Sequence, residues 1–447
     1  MQKNDVIRVD VDGFGADAEG VCRHGGRVVF VPGALPGETI DALIVKVMKG
    51  YAYGRLLAVH EESRDRTAPP CPYYPRCGGC SCQHMTYEAS LAFKRRQTAD
   101  CLERIGGIRI DVPAVAGMDH PWRYRNKTVM PLASVNGSAA AGFYMKRSHR
   151  LVPVDDCLIS KEASSAAVQA VLRWMDAEQV TPYDETSHTG TVRHVMTRVN
   201  HRDEVMALLT VNTAGVPAPC SLISSLREAV PGLVSICAAV NRQRNNVILP
   251  NRYDTLWGAP RLEDTLCELR YLLSPLSFFQ INREMAQVLY SHILDLAAPG
   301  PNDRVFDLYS GAGTISLLLA QRSAYVYGVE SSPQATEDAR HNAQLNGLDN
   351  AAFIADTTEN ALPRLIREGV KPDIIVLDPP RKGAGVTVID AIAAALPGRV
   401  VYVSCNPATQ ARDAARLVSH GYRVTACQGT DMFCQTADIE NVLLFER

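Results

Sequence analysis

The sequence has no apolar run of about eighteen residues, which excludes an ordinary transmembrane helix. Its opening residues, Met1-Gln2-Lys3-Asn4-Asp5, lack the apolar stretch of a signal peptide. A cytoplasmic location with no membrane partner is the resulting expectation. Surplus charge is also missing: the net charge is −2 at pH 7, so the whole molecule does not advertise a polyanionic partner. Internal repeats and low-complexity tracts are absent. An even cysteine count is lacking as well. Thirteen thiols cannot all pair, and in a cytoplasmic chain they point to metal binding or catalysis rather than a disulfide framework.

What is present is ample. The chain has 447 residues, 46% hydrophobic and 21% charged, which suits a soluble protein of two or three domains. Charge is unevenly spread: Lys94–Arg150 carries eleven Lys/Arg against four Asp/Glu. Arg95, Arg96, Arg123, Arg125, Lys127, Lys146, Arg147 and Arg150 lie there, interleaved with Trp122 and Tyr124. That pattern fits a nucleic-acid face, and on charge alone it equally fits a solvated surface.

Three regions are expected. Residues 1–65 hold short β-like runs separated by Gly- and Pro-bearing turns, as in a small barrel. Residues 66–268 open on a cysteine cluster and continue with mixed strands and helices, including a helix over Tyr87–Ile105 stopped by Gly106-Gly107. Residues 269–447 alternate strand and helix, which predicts an α/β, doubly wound Rossmann-like sheet. Its strands are Arg304–Leu308, Tyr325–Val329, Asp373–Leu377 and Arg399–Ser404, with a closing antiparallel pair at Arg423–Cys427 and Asn441–Phe445.

Ligands in open α/β sheets bind beyond the carboxyl ends of the strands. Tyr309, Glu330, Asp378 and Cys405 all fall at such ends. The turn Tyr309-Ser310-Gly311-Ala312-Gly313-Thr314 supplies glycines for close approach of backbone to ligand, and Glu330 suits the two hydroxyls of a ribose. Spacing alone does not separate S-adenosylmethionine from a dinucleotide. Cys405 emerges from a buried strand at the rim of this pocket, as a nucleophile would; a lone cysteine is also ordinarily a small buried hydrophobe. Glu440 fits a base near it and equally a surface acid entering the last strand. In the cysteine cluster Cys71, Cys77, Cys80 and Cys82 surround Gly78-Gly79, as thiolates holding zinc or an iron–sulfur centre do. A fourth ligand must come from elsewhere unless Cys82 serves.

Taken together, the motifs resemble the RNA (uracil-5-)-methyltransferase family, in its cluster-bearing branch acting on 23S ribosomal RNA. They are Cys71…Cys77-Gly-Gly-Cys80, Ser277-Phe278-Phe279-Gln280-Ile281-Asn282, Asp307-Leu308-Tyr309-Ser310-Gly311, Asp378-Pro379-Pro380-Arg381-Lys382-Gly383 and Ser404-Cys405-Asn406-Pro407. The resemblance covers nearly the whole chain. It implies an N-terminal TRAM barrel, with Gly20 and Phe30–Glu38 as its signature. It implies S-adenosyl-L-methionine held by Gln280, Tyr309, Glu330 and Asp378, with Thr314 and Asp356 as further contacts. It implies Cys405 as nucleophile and Glu440 as base. A [4Fe-4S] cluster would rest on Cys71, Cys77, Cys80 and the distant Cys157, leaving Cys82 spare.

The implied partner of this monomer is RNA: ribosomal RNA first, the T-loop uridine of transfer RNA second. A cytosine-5-methyltransferase would need a cysteine where this chain reads Asp378-Pro379-Pro380, and the cysteine spacing disfavours radical chemistry. A non-catalytic RNA-binding protein of the same fold is the rival from another class. Two positions depart from the family pattern Pro-x-Thr-x-His-x-Glu: Cys434 replaces the proline and Asp438 the histidine.

Overall fold

The computed structural model describes residues 1–447. Near the N-terminus, Val6–Phe14, Gly20–His24, Arg27–Val31, Thr39–Val47 and Tyr51–Glu61 close into a barrel. Alternation drives the closure: Ile7, Val9 and Val11 point inward with Val29, Val31, Ile40 and Ile44 while their neighbours face water. A Cβ at Gly20 would lie 2.8 Å from the Ala34 carbonyl oxygen, so only glycine lets that turn close against the strand.

The middle of the chain builds a seven-stranded sheet. Its order is Asp254–Gly258, Leu233–Val240, Val205–Val211, Val192–Val199, Lys127–Val135, Ser138–Tyr144 and Leu151–Pro153. Helices Glu162–Ala177 and Pro219–Ala229 cover one face through Val171, Trp174, Leu222 and Leu226. Helix Tyr87–Arg104 leaves this region and packs on helix Pro407–Ser419 of the C-terminal part. Thr86 caps its start by accepting from the Ala89 N–H.

The C-terminal sheet has seven strands, ordered Ala351–Ala355, Tyr325–Glu330, Arg304–Leu308, Ile374–Leu377, Arg399–Ser404, Glu440–Glu446 and Arg423–Thr430. The first five are mutually parallel, and Glu440–Glu446 runs antiparallel to both of its neighbours. Chain order reverses between Arg304–Leu308 and Ile374–Leu377, the switch point where such sheets open a crevice.

The structure divides the basic stretch between the interior and the surface. Lys94 is fully buried in an ion pair with Asp431. Arg123 is held by Asp156, Arg125 donates to the Lys127 carbonyl, and Tyr124 is buried with its hydroxyl donating to the Cys434 carbonyl. Arg96, Arg104 and Arg147 remain exposed.

Candidate active site

A cavity of about 1000 Å³ opens beyond the carboxyl ends of the parallel strands. Gln280, Tyr309, Thr314, Glu330, Asp378, Cys405 and Glu440 all line it, although they are spread over 161 residues of sequence. The strand Arg304–Leu308 ends at Tyr309, whose φ of +67° throws the chain into a tight turn. Gly313, at φ +84°, carries that turn into helix Thr314–Ala320; a Cβ there would stand 3.1 Å from Ala339.

Glu330 ends the adjacent strand and is aimed by the backbone around it. Its carboxylate accepts from the Gly311 N–H at 3.1 Å and the Ser332 N–H at 2.7 Å. Thr314 accepts a hydrogen bond from the Tyr290 hydroxyl at 3.1 Å, which fixes its side chain at the cavity wall. Gln280 is buried, and its carbonyl accepts from Asn126, tying the cavity to the central sheet. Asp356 stands apart from the cavity lining. Its carboxylate accepts from the Thr357 N–H and Asn360 and pairs with Arg364, while Thr357, Thr358 and Glu359 reach the cavity instead.

Among the lining residues Asp378, Cys405 and Glu440 stand close enough for their charges to act on one another. Burial pushes the Asp378 carboxyl up to about 7. Burial, then Asp378 and Asp438, hold Glu440 well above the ordinary carboxylate range, and its Oε2 has no hydrogen-bond partner. The Cys405 thiol is pushed up to about 12, by burial first and Glu440 second, with Arg381 acting in the opposite direction. The site is thus rich in carboxyl groups, an environment suited to a cationic ligand.

Two further residues belong here. Phe278 lines the mouth and is 63% exposed, a large apolar ring facing water. Arg381 lines the rim, and its carbonyl accepts from Asn406 and Thr409, which fixes it beside the Cys405 turn. Both lay inside motifs already visible in the sequence, but no spacing argument singled them out.

A second, smaller cavity of about 190 Å³ is lined by Cys71, Cys77, Cys80 and Cys157. Burial raises the Cys77 thiol and takes Cys80 up to about 12, with the neighbouring thiols adding to both. Cys82 is excluded from this cavity and packs with Leu35, Met85 and Phe93. The expected cluster site is not assembled here: no set of three or more His, Cys, Asp or Glu side chains is gathered closely enough to hold a metal ion.

Comparison with known proteins agrees with this geometry. Residues 259–447 match the tRNA (Uracil-5-)-methyltransferase family, and residues 2–57 match the TRAM domain. An uncharacterized RNA methyltransferase of Halalkalibacterium halodurans is 42% identical over 448 residues, covering 100% of this chain and 98% of its own. A second, from Listeria innocua, is 41% identical over 443 residues, covering 99% of this chain and 98% of its own. Among solved structures, the Pyrococcus abyssi tRNA (uracil-54, C5)-methyltransferase in complex with S-adenosyl-L-homocysteine superposes with a TM-score of 0.79. It is 26% identical and covers 98% of this chain and 100% of its own. The chain therefore belongs to the S-adenosylmethionine-dependent RNA uracil-5-methyltransferase family, and is an RNA methyltransferase with an N-terminal TRAM barrel.

Proposed function

We propose that the enzyme methylates C5 of a uridine in 23S ribosomal RNA through a covalent bond between Cys405 and C6 of the base. The observation that carries this reading is the gathering of Cys405, Asp378 and an unpartnered Glu440 carboxylate in one cavity. C5 of uracil is a weak nucleophile. Addition of the Cys405 thiolate to C6 moves the C5=C6 electron pair toward C5 and O4, which divides one hard step into easier ones. Arg381 is the cation beside Cys405 that favours the thiolate. Asp378, with its raised pKa, is able to donate a hydrogen bond to a uracil carbonyl where negative charge develops.

Bound S-adenosyl-L-methionine supplies the methyl group. Glu330 takes its ribose hydroxyls, Gln280, Tyr309 and Thr314 line its cleft, and Asp356 shapes the adjoining turn from outside the cavity. Glu440 in its ionised form, which Arg381 favours, then takes the C5 proton. The C5–H pair restores the C5=C6 double bond, and the C6–S pair returns to Cys405 as thiolate. The target base must leave its stack to enter, and Phe278 at the mouth is the ring on which it would be received.

The iron–sulfur reading rests on the smaller cavity, where Cys71, Cys77, Cys80 and Cys157 line one space of about 190 Å³. Cys71, Cys77, Cys80 and Cys157 would hold a [4Fe-4S] centre there, and methyl transfer to C5 calls for no redox step from it. The three regions, 1–65, 66–268 and 269–447, would then act as RNA grip, cluster-bearing body and catalytic sheet of a cytoplasmic monomer. On the barrel, Phe30, Tyr51 and Tyr53 form a contiguous aromatic group with Arg147 over Tyr53, a surface suited to unstacked bases.

Transfer RNA is the second reading. The Pyrococcus abyssi enzyme acts on a transfer RNA uracil and is matched along its full length, so the barrel alone does not favour ribosomal RNA. Methyl transfer to unmodified 23S ribosomal RNA and to unmodified transfer RNA, mapped by mass spectrometry of nuclease fragments, tests both. 5-Methyluridine at one ribosomal loop is expected. Methylation of transfer RNA alone would move the substrate and keep the chemistry. Transfer to neither, with cofactor bound, would point to a different RNA as the substrate.

A further inference from the structure

We propose that the cysteine loop aims the catalytic base: Ser81 hydrogen-bonds the segment leading to Glu440 and is a positioning residue for release of the covalent adduct. The inference rests on the covalent reading above. Glu440 is buried, and its Oε2 has no hydrogen-bond partner, so its aim depends on the backbone that carries it. Downstream, the strand Glu440–Glu446 fixes that backbone by pairing on both sides.

Upstream, Arg381 holds Asp438 from within the catalytic region, and the rest of the hold comes from outside the catalytic sheet. The Ser81 and Cys82 N–H groups both donate to the Gln435 carbonyl, at 2.9 and 3.0 Å. Ser81 Oγ accepts from the Ala437 N–H at 3.0 Å, and the Tyr124 hydroxyl donates to the Cys434 carbonyl at 2.9 Å. Gln435 sits at φ +68°, a conformation that a residue with a side chain keeps only when its surroundings impose it. Ser81 lies between Cys80 and Cys82, 356 positions from Ala437. The loop that brings Cys77 and Cys80 to the thiol cavity is therefore also the loop that sets the entry to Glu440.

In the release step Glu440 takes the C5 proton, the C5–H pair forms C5=C6, and the C6–S pair returns to Cys405. A base displaced by a fraction of an ångström leaves methyl transfer intact and slows this step alone. The test is a single-turnover experiment on unmodified substrate RNA with S-adenosylmethionine. It follows methyl transfer and decay of the RNA–protein adduct separately. Ser81→Ala is expected to transfer methyl at the parent rate, to resolve the adduct roughly tenfold or more slowly, and to be rescued by Ser81→Thr. Tyr124→Phe, which loosens the same segment from its other side, is expected to act alike and serves where Ser81→Ala does not fold. Folded Ser81→Ala or Tyr124→Phe protein that clears its adduct at the parent rate overturns the proposal while leaving the covalent route standing. A parent enzyme that forms 5-methyluridine with no adduct overturns both.

Discussion

Arg381 donates a hydrogen bond from Nη2 to Asp438 Oδ1 at 2.6 Å, at the rim of the cavity that holds Cys405 and Glu440. Asp438 pushes the pKa of both groups up, and Arg381 pulls both down. Asp438→Asn removes the repelling carboxylate and leaves Arg381 to act on Glu440 and Cys405 alone. Both then lose protons more readily. The acidic limb of single-turnover methylation should move to lower pH, on the order of one unit, because Cys405 ionises more readily, while decay of the adduct slows because a weaker base removes the C5 proton. An unmoved pH profile would show that the pair stands outside the reaction.

The division of labour proposed for Cys405 and Glu440 has a distinct kinetic signature. Cys405→Ala should abolish adduct and product, a loss on the order of 10⁶-fold, as for other covalent nucleophiles, while calorimetry still shows cofactor binding. Glu440→Gln should form the methylated adduct and fail to release it, slowed roughly 10²- to 10⁴-fold. Denaturing gels of enzyme with radiolabelled RNA separate these outcomes. Parent-like turnover of Glu440→Gln would move the base to Asp438.

The grouping of Asp378 and Cys405 at the cavity was legible in the sequence for a physical reason. A parallel sheet delivers the residues after its strands to one edge, so Tyr309, Asp378 and Cys405 had to meet once the strands were recognised. The short β-like runs of residues 1–65, broken by Gly- and Pro-bearing turns, likewise announced a barrel. What stayed hidden depended on partners far apart in the chain. Nothing local marks Lys94 as the buried partner of Asp431, so its charge read as part of an RNA face. Asp356 follows a strand as Glu330 ends one, yet its carboxylate turns to the Thr357 N–H, Asn360 and Arg364 rather than into the cavity. The tie from Ser81 to Gln435 runs through main-chain groups, which leave no trace in residue identity.

Asp307 gives stability a pH dependence. Its carboxyl is fully buried, accepts from Ser316, and is pushed up to about 7, by burial above all. An unfolded aspartate titrates near 4, so between roughly pH 4 and 7 the folded chain binds the extra proton. Its contribution is therefore fully present below the unfolded value and is lost as pH rises through the folded one. Thermal unfolding of the cofactor-free protein should show a falling Tm from pH 5 to 8, with a shallower fall for Asp307→Asn. Identical slopes for the two proteins would place the dependence elsewhere.

The Lys94–Asp431 pair separates packing from RNA binding. Both side chains are fully buried, and the Tyr87 hydroxyl donates to Asp431 at 2.7 Å, so the pair bonds helix Tyr87–Arg104 to the end of strand Arg423–Thr430. Removing one partner strands the other charge away from water, which costs about 3–5 kcal/mol. Lys94→Met or Asp431→Ala alone should therefore lower Tm by several degrees. The double change Lys94→Met with Asp431→Asn should recover most of the loss, because no charge is stranded and Tyr87 keeps an acceptor. Each phosphate contact contributes to the salt dependence of binding, and a side chain with no exposure makes none. The slope of log affinity against log salt should then be the same for folded Lys94→Met as for the parent, whereas Arg147→Ala should flatten it. A flatter slope for Lys94→Met would mean that the helix moves on binding and uncovers the ammonium group.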